Sequence, residues 1–151
     1  MKWVTRQRIQ VNRAATCWLI QRFLDPTPEL LFVPAENVAS VQAATGATGF
    51  DAPGATYPHQ NEEGLCSFAA LVRERLAHDP VLLEMADIVQ AADITGELDN
   101  HPAARGLQLI SRGFPLLTKN DYETTECAAF IYDALYASIK QEASPAVNNQ
   151  E

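Results

Sequence analysis

The first third of the chain alternates between strand-like and helical patterns of apolar residues. Residues 3–5 and 29–33 are short runs of β-branched, aromatic and aliphatic residues, and they predict two strands. The second run is almost wholly apolar, so we expect it to be buried. Apolar residues at helical spacing predict one helix over 12–24, with Asn12 as its N-cap, and another over 35–45, which Gly46 ends.

Residues 46–65 have a different composition, because glycines and prolines interrupt the apolar pattern. Residues 49–51 are a candidate edge strand, and the rest predicts a loop or a short hairpin. A loop of this length inside a compact domain is usually functional or disordered. Its apolar residues, Phe50, Tyr57 and Leu65, favour an ordered loop.

Helical periodicity continues through the second half and predicts four more helices. Ser67 is the expected N-cap of the first, and Asp79-Pro80, an N-cap followed by a first-turn proline, begins the second. Pro102 begins the third, and Asp121 caps the fourth, whose first turn is acidic as the helix dipole favours. Residues 144–151 are polar, and we expect this tail to fray.

Together these patterns predict an α+β fold that is predominantly helical, with five to six helices and a few short strands near the N-terminal half. The chain has 151 residues, of which 47% are hydrophobic. That length and composition suit one domain, which we place at residues 1–143.

Charge and cysteine content restrict the partners and the compartment. A net charge of −8 argues against direct binding of nucleic acid, which needs a basic footprint. No apolar run approaches the ~18 residues of a membrane span, and charged residues interrupt the N-terminal segment where a signal peptide would be apolar. Three widely spaced cysteines imply neither a disulfide framework nor a zinc ribbon, so we expect a cytoplasmic protein.

Two arginines, Arg6 and Arg13, lie at or before the expected start of the first helix. Free N–H groups and the positive end of the helix dipole attract an oxyanion there, and guanidinium groups add paired hydrogen bonds. The alternative, which the residues alone favour, is that both arginines are solvated or paired with some of the 19 acidic residues. Asp93 ends an apolar helix, so it is either a turn residue or a partner for Arg6, Arg13 or Arg22.

His59 and Cys66 form a second candidate site, with Glu62, Glu63 or Asp93 in support, because imidazole, thiolate and carboxylate groups together bind transition metals. Their spacing matches no standard zinc motif, so a solvated His59 and a buried Cys66 are the favoured alternative. His59 is also a candidate donor to an oxyanion beside the arginines. Cys66, at a helix N-terminus, is a weaker candidate for a nucleophile, since no histidine partner is identifiable.

Several short motifs occur in a fixed order along the chain. They are Lys2-Trp3-Val4-Thr5-Arg6, Arg13, Trp18-Leu19-Ile20, Arg22-Phe23, Asp25, Phe32-Val33-Pro34, Phe50-Asp51, Pro53-Gly54, His59, Cys66-Ser67-Phe68, Ala92-Asp93 and Tyr132-Asp133-Ala134-Leu135-Tyr136. In this order they resemble the C-terminal domain family of the chromate resistance protein ChrB, over nearly the whole chain.

The resemblance implies a cytoplasmic bacterial domain of the chromate response, which a DNA-binding region precedes in full-length members. That region has no counterpart here, so we expect a stand-alone sensing domain. The resemblance also implies a small oxyanion such as chromate as the ligand. The residues that we expect to bind it are Arg6, Arg13, Arg22, His59 and Asp93.

The sequence departs from the family pattern at three places: Asn12 and Ala69 replace expected aspartates, and Thr16-Cys17 replaces an expected Cys-Pro. If the family used those groups for a metal, this copy has lost them. Two other functions stay open: a metal-dependent or redox enzyme such as a chromate reductase, and a structural module whose helices form a homodimer. The chain has no nucleotide-binding motif, so an enzyme would need a bound transition metal or a flavin.

Overall fold

A computed structural model describes residues 1–144 and confirms an α+β fold that is predominantly helical. Its strands are β1 (Lys2–Arg6), β2 (Glu29–Val33) and β3 (Thr48–Gly49). Its helices are α1 (Val11–Leu19, continued by a π-helical turn, Ile20–Leu24), α2 (Val38–Thr45, after a 3-10 turn, Ala35–Asn37), α3 (Ser67–Arg75), α4 (Pro80–Asp93), α5 (Ala104–Leu117) and α6 (Asp121–Glu142). The predicted frayed tail lies outside the described residues, apart from Ser144. Within the described part of the chain, none of the helices is both long enough and apolar enough to cross a membrane.

The three strands form one parallel sheet in the order β2-β1-β3. Trp3 of β1 lies opposite Leu30 of β2 and Thr48 of β3. Parallel neighbours need crossover connections, and the segments that contain α1 and α2 supply them between β1, β2 and β3. Only Leu30 of β2 is buried, because β2 is an edge strand, so the prediction of a wholly buried strand is wrong.

Side chains alternate across the sheet, so its two faces have different neighbours. Trp3 and Leu30 belong to the main core, which α1 and α3–α6 build. Val4 points the other way and packs with Val38 and Ala47 in a smaller core beneath α2. The sheet is therefore covered by α2 on one face and by the remaining helices on the other.

Several helix ends agree with the sequence patterns. Asp79 caps α4 by accepting two first-turn N–H groups, and Pro80 occupies the first position. Gly46 ends α2 with φ 74°, a left-handed conformation that favours glycine. The helix predicted from Pro102 begins two residues later, at Ala104.

The sequence predicts Asn12 as the N-cap of α1, and this prediction is wrong. Asn12 is buried in the first turn of α1 and donates to Ser67 Oγ at 2.8 Å. It also accepts from the N–H of Phe68 at 3.1 Å. The Asn12 amide thus provides hydrogen-bond partners for Ser67 Oγ and the N–H of Phe68 at the start of α3. Ser67 is the first residue of α3 rather than its N-cap. The local pattern failed because a buried polar group needs a partner wherever the fold supplies one.

Asp121 is likewise not the N-cap of α6, because Asn120 accepts from the N–H of Glu123 and caps that helix. The Asp121 carboxylate instead accepts from the N–H groups of Arg8 and Ile9, at 3.0 and 2.9 Å. Arg8 has a left-handed backbone, with φ 62°. Asp121 therefore holds the connection between β1 and α1 in place.

The glycine-rich segment after α2 is ordered. Strand β3 overlaps the predicted 49–51 strand at Gly49, and Phe50 forms a parallel bridge with Tyr57. The N–H of Asp51 then donates to the carbonyl of Tyr57 at 2.7 Å. This contact directs the rest of the loop back over the end of the sheet.

Candidate functional site

Four predicted site residues meet around an aspartate at one edge of the sheet. Arg6 ends β1, Arg13 lies in α1, Asp51 follows β3, His59 lies in the loop, and Asp93 ends α4. In the order β2-β1-β3, the chain passes from β1 to β2 on one side of β1 and then crosses back to β3 on the other side, so the strand order reverses between β1 and β3. Open parallel sheets bind ligands in the crevice at the carboxyl ends of the strands, at such a switch point.

Asp51 is the centre of this charged cluster, which consists of Arg6, Arg13, Asp51, His59 and Asp93. Its side chain is only 1% exposed, and each oxygen contacts a cationic group or an imidazole. Oδ1 lies 2.7 Å from Nδ1 of His59 and 3.4 Å from Nη2 of Arg6, while Oδ2 accepts from Nη1 of Arg13 at 3.1 Å. The Asp51 carbonyl also accepts from Nε of Arg6 at 2.8 Å.

The backbone of Asp51 is left-handed, with φ 51°, a conformation that aspartate tolerates better than most residues. Burial acts to raise the pKa of Asp51, but the His59 hydrogen bond and the charges of Arg13 and Arg6 hold it below its usual value. Asp51 is therefore an ionised, buried carboxylate that fixes three other side chains.

Arg13 is the deepest cation of the cluster, with 14% of its side chain exposed. Burial lowers its pKa, and the adjacent Asp51 carboxylate opposes that effect. Its Nη2 donates to the carbonyl of Arg8 at 2.9 Å, while its buried Nε has no hydrogen-bond partner within the described structure. Arg13 thus connects the cluster to the β1–α1 loop that Asp121 holds.

His59 and Asp93 respond to each other's charge. The hydrogen bond with Asp51 raises the pKa of His59, although partial burial opposes it. Burial and the nearby Asp51 charge raise the pKa of Asp93 to about 6. Asp93 Oδ2 lies 3.6 Å from Nδ1 of His59, so ionisation of Asp93 at about pH 6 favours the protonated form of His59.

Arg6 and His59 reach solvent on the same side of the cluster. Their side chains are 34% and 47% exposed. Both line an open pocket of about 380 Å³, whose other walls are Ala52, Pro53, Pro58 and Gln60. A ligand entering this pocket would meet one guanidinium and one imidazole, both anchored from behind by Asp51.

Arg22, predicted as a fifth binding residue, lies elsewhere. Its guanidinium makes two hydrogen bonds to Asp133 of α6, at 3.0 and 2.8 Å. The same carboxylate accepts from the indole N–H of Trp18 at 2.7 Å. Arg22 therefore connects α6 to the end of the first helix and contributes no group to the charged cluster.

The predicted metal set is not assembled as expected. Only His59 lies in the cluster, since Glu63 is exposed and Cys66 is buried before α3. Burial raises the pKa of the Cys66 thiol to about 12, so without a bound metal the group stays a thiol and is not an activated nucleophile. The structure instead brings donor atoms of Asp51, His59 and Asp93 within 4.8 Å of one another, a set that could hold a metal ion.

Asp51 was the residue missed in the sequence. In the sequence it belongs only to a candidate strand and to one of the shared motifs. Its partners Arg6 and Arg13 lie 45 and 38 residues away along the chain, so no local pattern connects them. An aspartate after a strand in a glycine-rich segment was the only available indication.

Comparison with known proteins identifies relatives of the chain. The family model described as "ChrB, C-terminal domain" matches residues 3–139. Protein ChrB of Cupriavidus metallidurans is 31% identical over 138 residues, which cover 89% of this chain and 40% of that protein. The chain thus spans well under half the length of this curated relative. No solved structure matches the chain.

Proposed function

The chain belongs to the ChrB C-terminal domain family, and on that basis we propose that it is a chromate-resistance-related domain that binds a small oxyanion. The ligand enters the open pocket and contacts Arg6 and His59. One observation carries this proposal: a single buried carboxylate, Asp51, holds both groups at the carboxyl ends of β1 and β3.

The charge balance of the cluster favours an anion. When His59 is protonated, which its raised pKa favours, Arg6, Arg13 and His59 supply three positive charges, and Asp51 with ionised Asp93 supplies two negative charges. Protonation of Asp93, whose pKa is about 6, leaves a larger positive excess. The cluster therefore attracts an anion although the whole chain has a net charge of −8.

The groups that face the pocket suit an oxyanion in chemistry and position. The Arg6 guanidinium presents N–H donors that match paired oxygens, and protonated His59 has Nε2–H left to donate because Nδ1 bonds Asp51. Asp51 already fixes both side chains before a ligand binds, so binding costs little side-chain conformational entropy. The pocket, at about 380 Å³, accommodates a tetrahedral ion such as chromate.

A metal-dependent function is the second candidate, and the compact Asp51, His59 and Asp93 donor set favours it. Both oxygens of Asp51 already accept from arginines or His59, however, and a divalent cation would have to approach two guanidinium groups. Their repulsion makes this donor set a poorer cation site than an anion site.

Calorimetric titration of metal-free protein with chromate, sulfate and phosphate tests the proposal. We expect Arg6→Ala and His59→Gln to lose oxyanion binding. Arg22→Ala is the matched control, since it removes a half-exposed arginine outside the cluster, and we expect it to bind as the wild type does. Absence of oxyanion binding, together with stoichiometric binding of Zn²⁺ or Mn²⁺ that Asp93→Asn abolishes, would replace the oxyanion proposal with the metal site.

A further inference from the structure

Helix α5 has two apolar faces, and other parts of the described chain cover only one. Leu107 and Phe114 are buried against the core. Four large apolar residues remain 49–87% exposed on the outer face: Leu109, Ile110, Leu116 and Leu117. Single exposed apolar residues are common on protein surfaces, but a continuous row of this kind marks an interaction site.

The outer face of α5 follows a seven-residue repeat. Arg105-Gly106-Leu107-Gln108-Leu109-Ile110-Ser111 is followed by Arg112-Gly113-Phe114-Pro115-Leu116-Leu117-Thr118. Seven residues make nearly two helical turns, so equivalent positions line up along the helix. The repeat places Gly106 and Gly113 beside the exposed leucines and isoleucine, with the cations Arg105 and Arg112 along one margin.

Glycine within a helix destabilises it by roughly 1 kcal/mol relative to alanine, so two at equivalent positions call for a reason. At both positions the space that a Cβ would occupy is empty, with nothing within 4 Å. The described chain therefore does not require glycine there for its own packing. A second helix approaching this face would use the space, because the absence of side chains lets backbones come close.

Helix α6 presents a face of matching shape and opposite charge. Cys127, Phe130, Ala134 and Ala137 are all exposed, and their alternating spacing of three and four residues places them on one line. Here one large residue, Phe130, lies among small ones, whereas α5 has small residues among large ones. Glu126 is exposed beside this line, and α5 contains no acidic residue.

We propose that α5 of one copy packs against α6 of a second copy, in a dimer with twofold symmetry. The exposed residues of α5 would surround the small residues of α6, and Phe130 would occupy the space beside Gly106 or Gly113. The basic margin of α5 would face Glu126 of α6. Pairing α5 with α5 in antiparallel fashion would instead place the two basic margins together. Charge therefore selects α6 as the partner surface.

The exposed apolar area lies within the range of specific protein interfaces. With roughly 180 Å² for a large, fully exposed apolar residue, the four α5 residues and Phe130 together present roughly 600 Å² per copy. Burying this surface on both copies removes about 1,200 Å² from water, the lower end of the range for specific interfaces. The dimer is independent of the oxyanion site, because none of the interface residues belongs to the charged cluster.

Sedimentation velocity from about 1 to about 300 μM protein, which brackets micromolar dissociation constants, tests the dimer. We expect the wild type to dimerise and Leu117→Glu to remain monomeric. Leu117 is 87% exposed, so its replacement leaves the fold of the single copy intact, as circular dichroism would verify. Ala44→Glu, which adds the same charge at an exposed position of α2, is the matched control and should still dimerise.

The Cys127 thiol locates the interface independently. It is exposed, whereas Cys17 and Cys66 are buried, so a thiol reagent reports on Cys127 in the native protein. We expect its labelling rate to fall about tenfold once about nine-tenths of the copies are paired, and Leu117→Glu to restore the fast rate. A monomer at all concentrations would overturn the proposal. A dimer that survives Leu117→Glu, or one that leaves Cys127 fully reactive, would place the interface elsewhere and also overturn it.

Discussion

Replacement of Asp51 by asparagine tests whether one carboxylate organises the charged cluster. Asparagine has nearly the same shape, so the change removes the negative charge and leaves little steric effect. Arg6 and His59 can turn to solvent, since they are 34% and 47% exposed, but Arg13 is only 14% exposed and keeps its charge in the interior. Loss of one partner of a buried ion pair typically costs about 3–5 kcal/mol. We expect the lower end, about 3 kcal/mol, because Arg13 alone stays buried.

Urea unfolding measures this loss, with the fluorescence of the buried Trp3 and Trp18 as the signal. Asp87→Asn is the matched control, because Asp87 pairs with Arg73 at an exposed site, and it should cost less than about 1 kcal/mol. The pKa of Asp51 is lowered, so its stabilisation is present above its unfolded-state pKa and is lost as the pH falls through the folded-state value. The difference between wild type and Asp51→Asn should therefore shrink in acid. Equal effects of the two substitutions at neutral pH would refute the role given to Asp51.

Three further predictions follow from the same contacts. Folding raises the pKa of Asp93 to about 6, so the ionised carboxylate destabilises the folded protein above that pH. Asp93→Asn should therefore raise the unfolding free energy by about 2 kcal/mol at about pH 8 and by little below about pH 4. Urea titrations at the two pH values measure this difference. Sulfate affinity, by calorimetry, should fall as the pH rises above about 6, because Asp93 ionises there and His59, whose pKa is raised, loses its proton as the pH rises further. A constant affinity would contradict the charge argument. Asn12→Ala should destabilise the protein by about 1–3 kcal/mol in chemical denaturation, because it leaves the N–H of Phe68 buried without its acceptor, and a neutral effect would contradict that assignment.

Local sequence patterns predicted the fold class and most element positions. Proline and glycine act on the backbone next to them, which is why the start of α4 at Asp79-Pro80 and the end of α2 at Gly46 could be read from the sequence. Apolar periodicity likewise reflects which face of a helix is buried. These effects depend on neighbouring residues, so no knowledge of the tertiary structure was needed.

Polar side chains with distant partners could not be assigned in this way. Asn12 binds the start of α3 more than fifty residues away, and Asp121 binds the backbone of Arg8 and Ile9 more than a hundred residues away. Arg22 finds Asp133 for the same reason. Each has a plausible local role, but burial and tertiary packing decide which partner it obtains.

The charged cluster contains residues that the sequence identifies and one, Asp51, whose role depends on distant partners. Arg6, Arg13, His59 and Asp93 were recognised by residue type and by family resemblance, but their grouping depends on Asp51. The parallel arrangement of β1 and β3 brings Asp51 beside Arg6, and this arrangement is a property of the sheet rather than of either segment. Sequence reasoning thus supplied candidate groups, and the topology showed which of them are neighbours.

The most direct test of the oxyanion proposal is to follow the three histidine side chains by nuclear magnetic resonance during titration with chromate and, separately, sulfate. His59 lines the pocket, whereas His78 and His101 lie outside the charged cluster and serve as internal controls. The account predicts that the ligand shifts the His59 imidazole resonances and raises its pKa, while His78 and His101 stay unchanged, and that Arg6→Ala abolishes the effect. An unchanged His59, or equal shifts at all three histidines, would contradict an oxyanion site at this cluster.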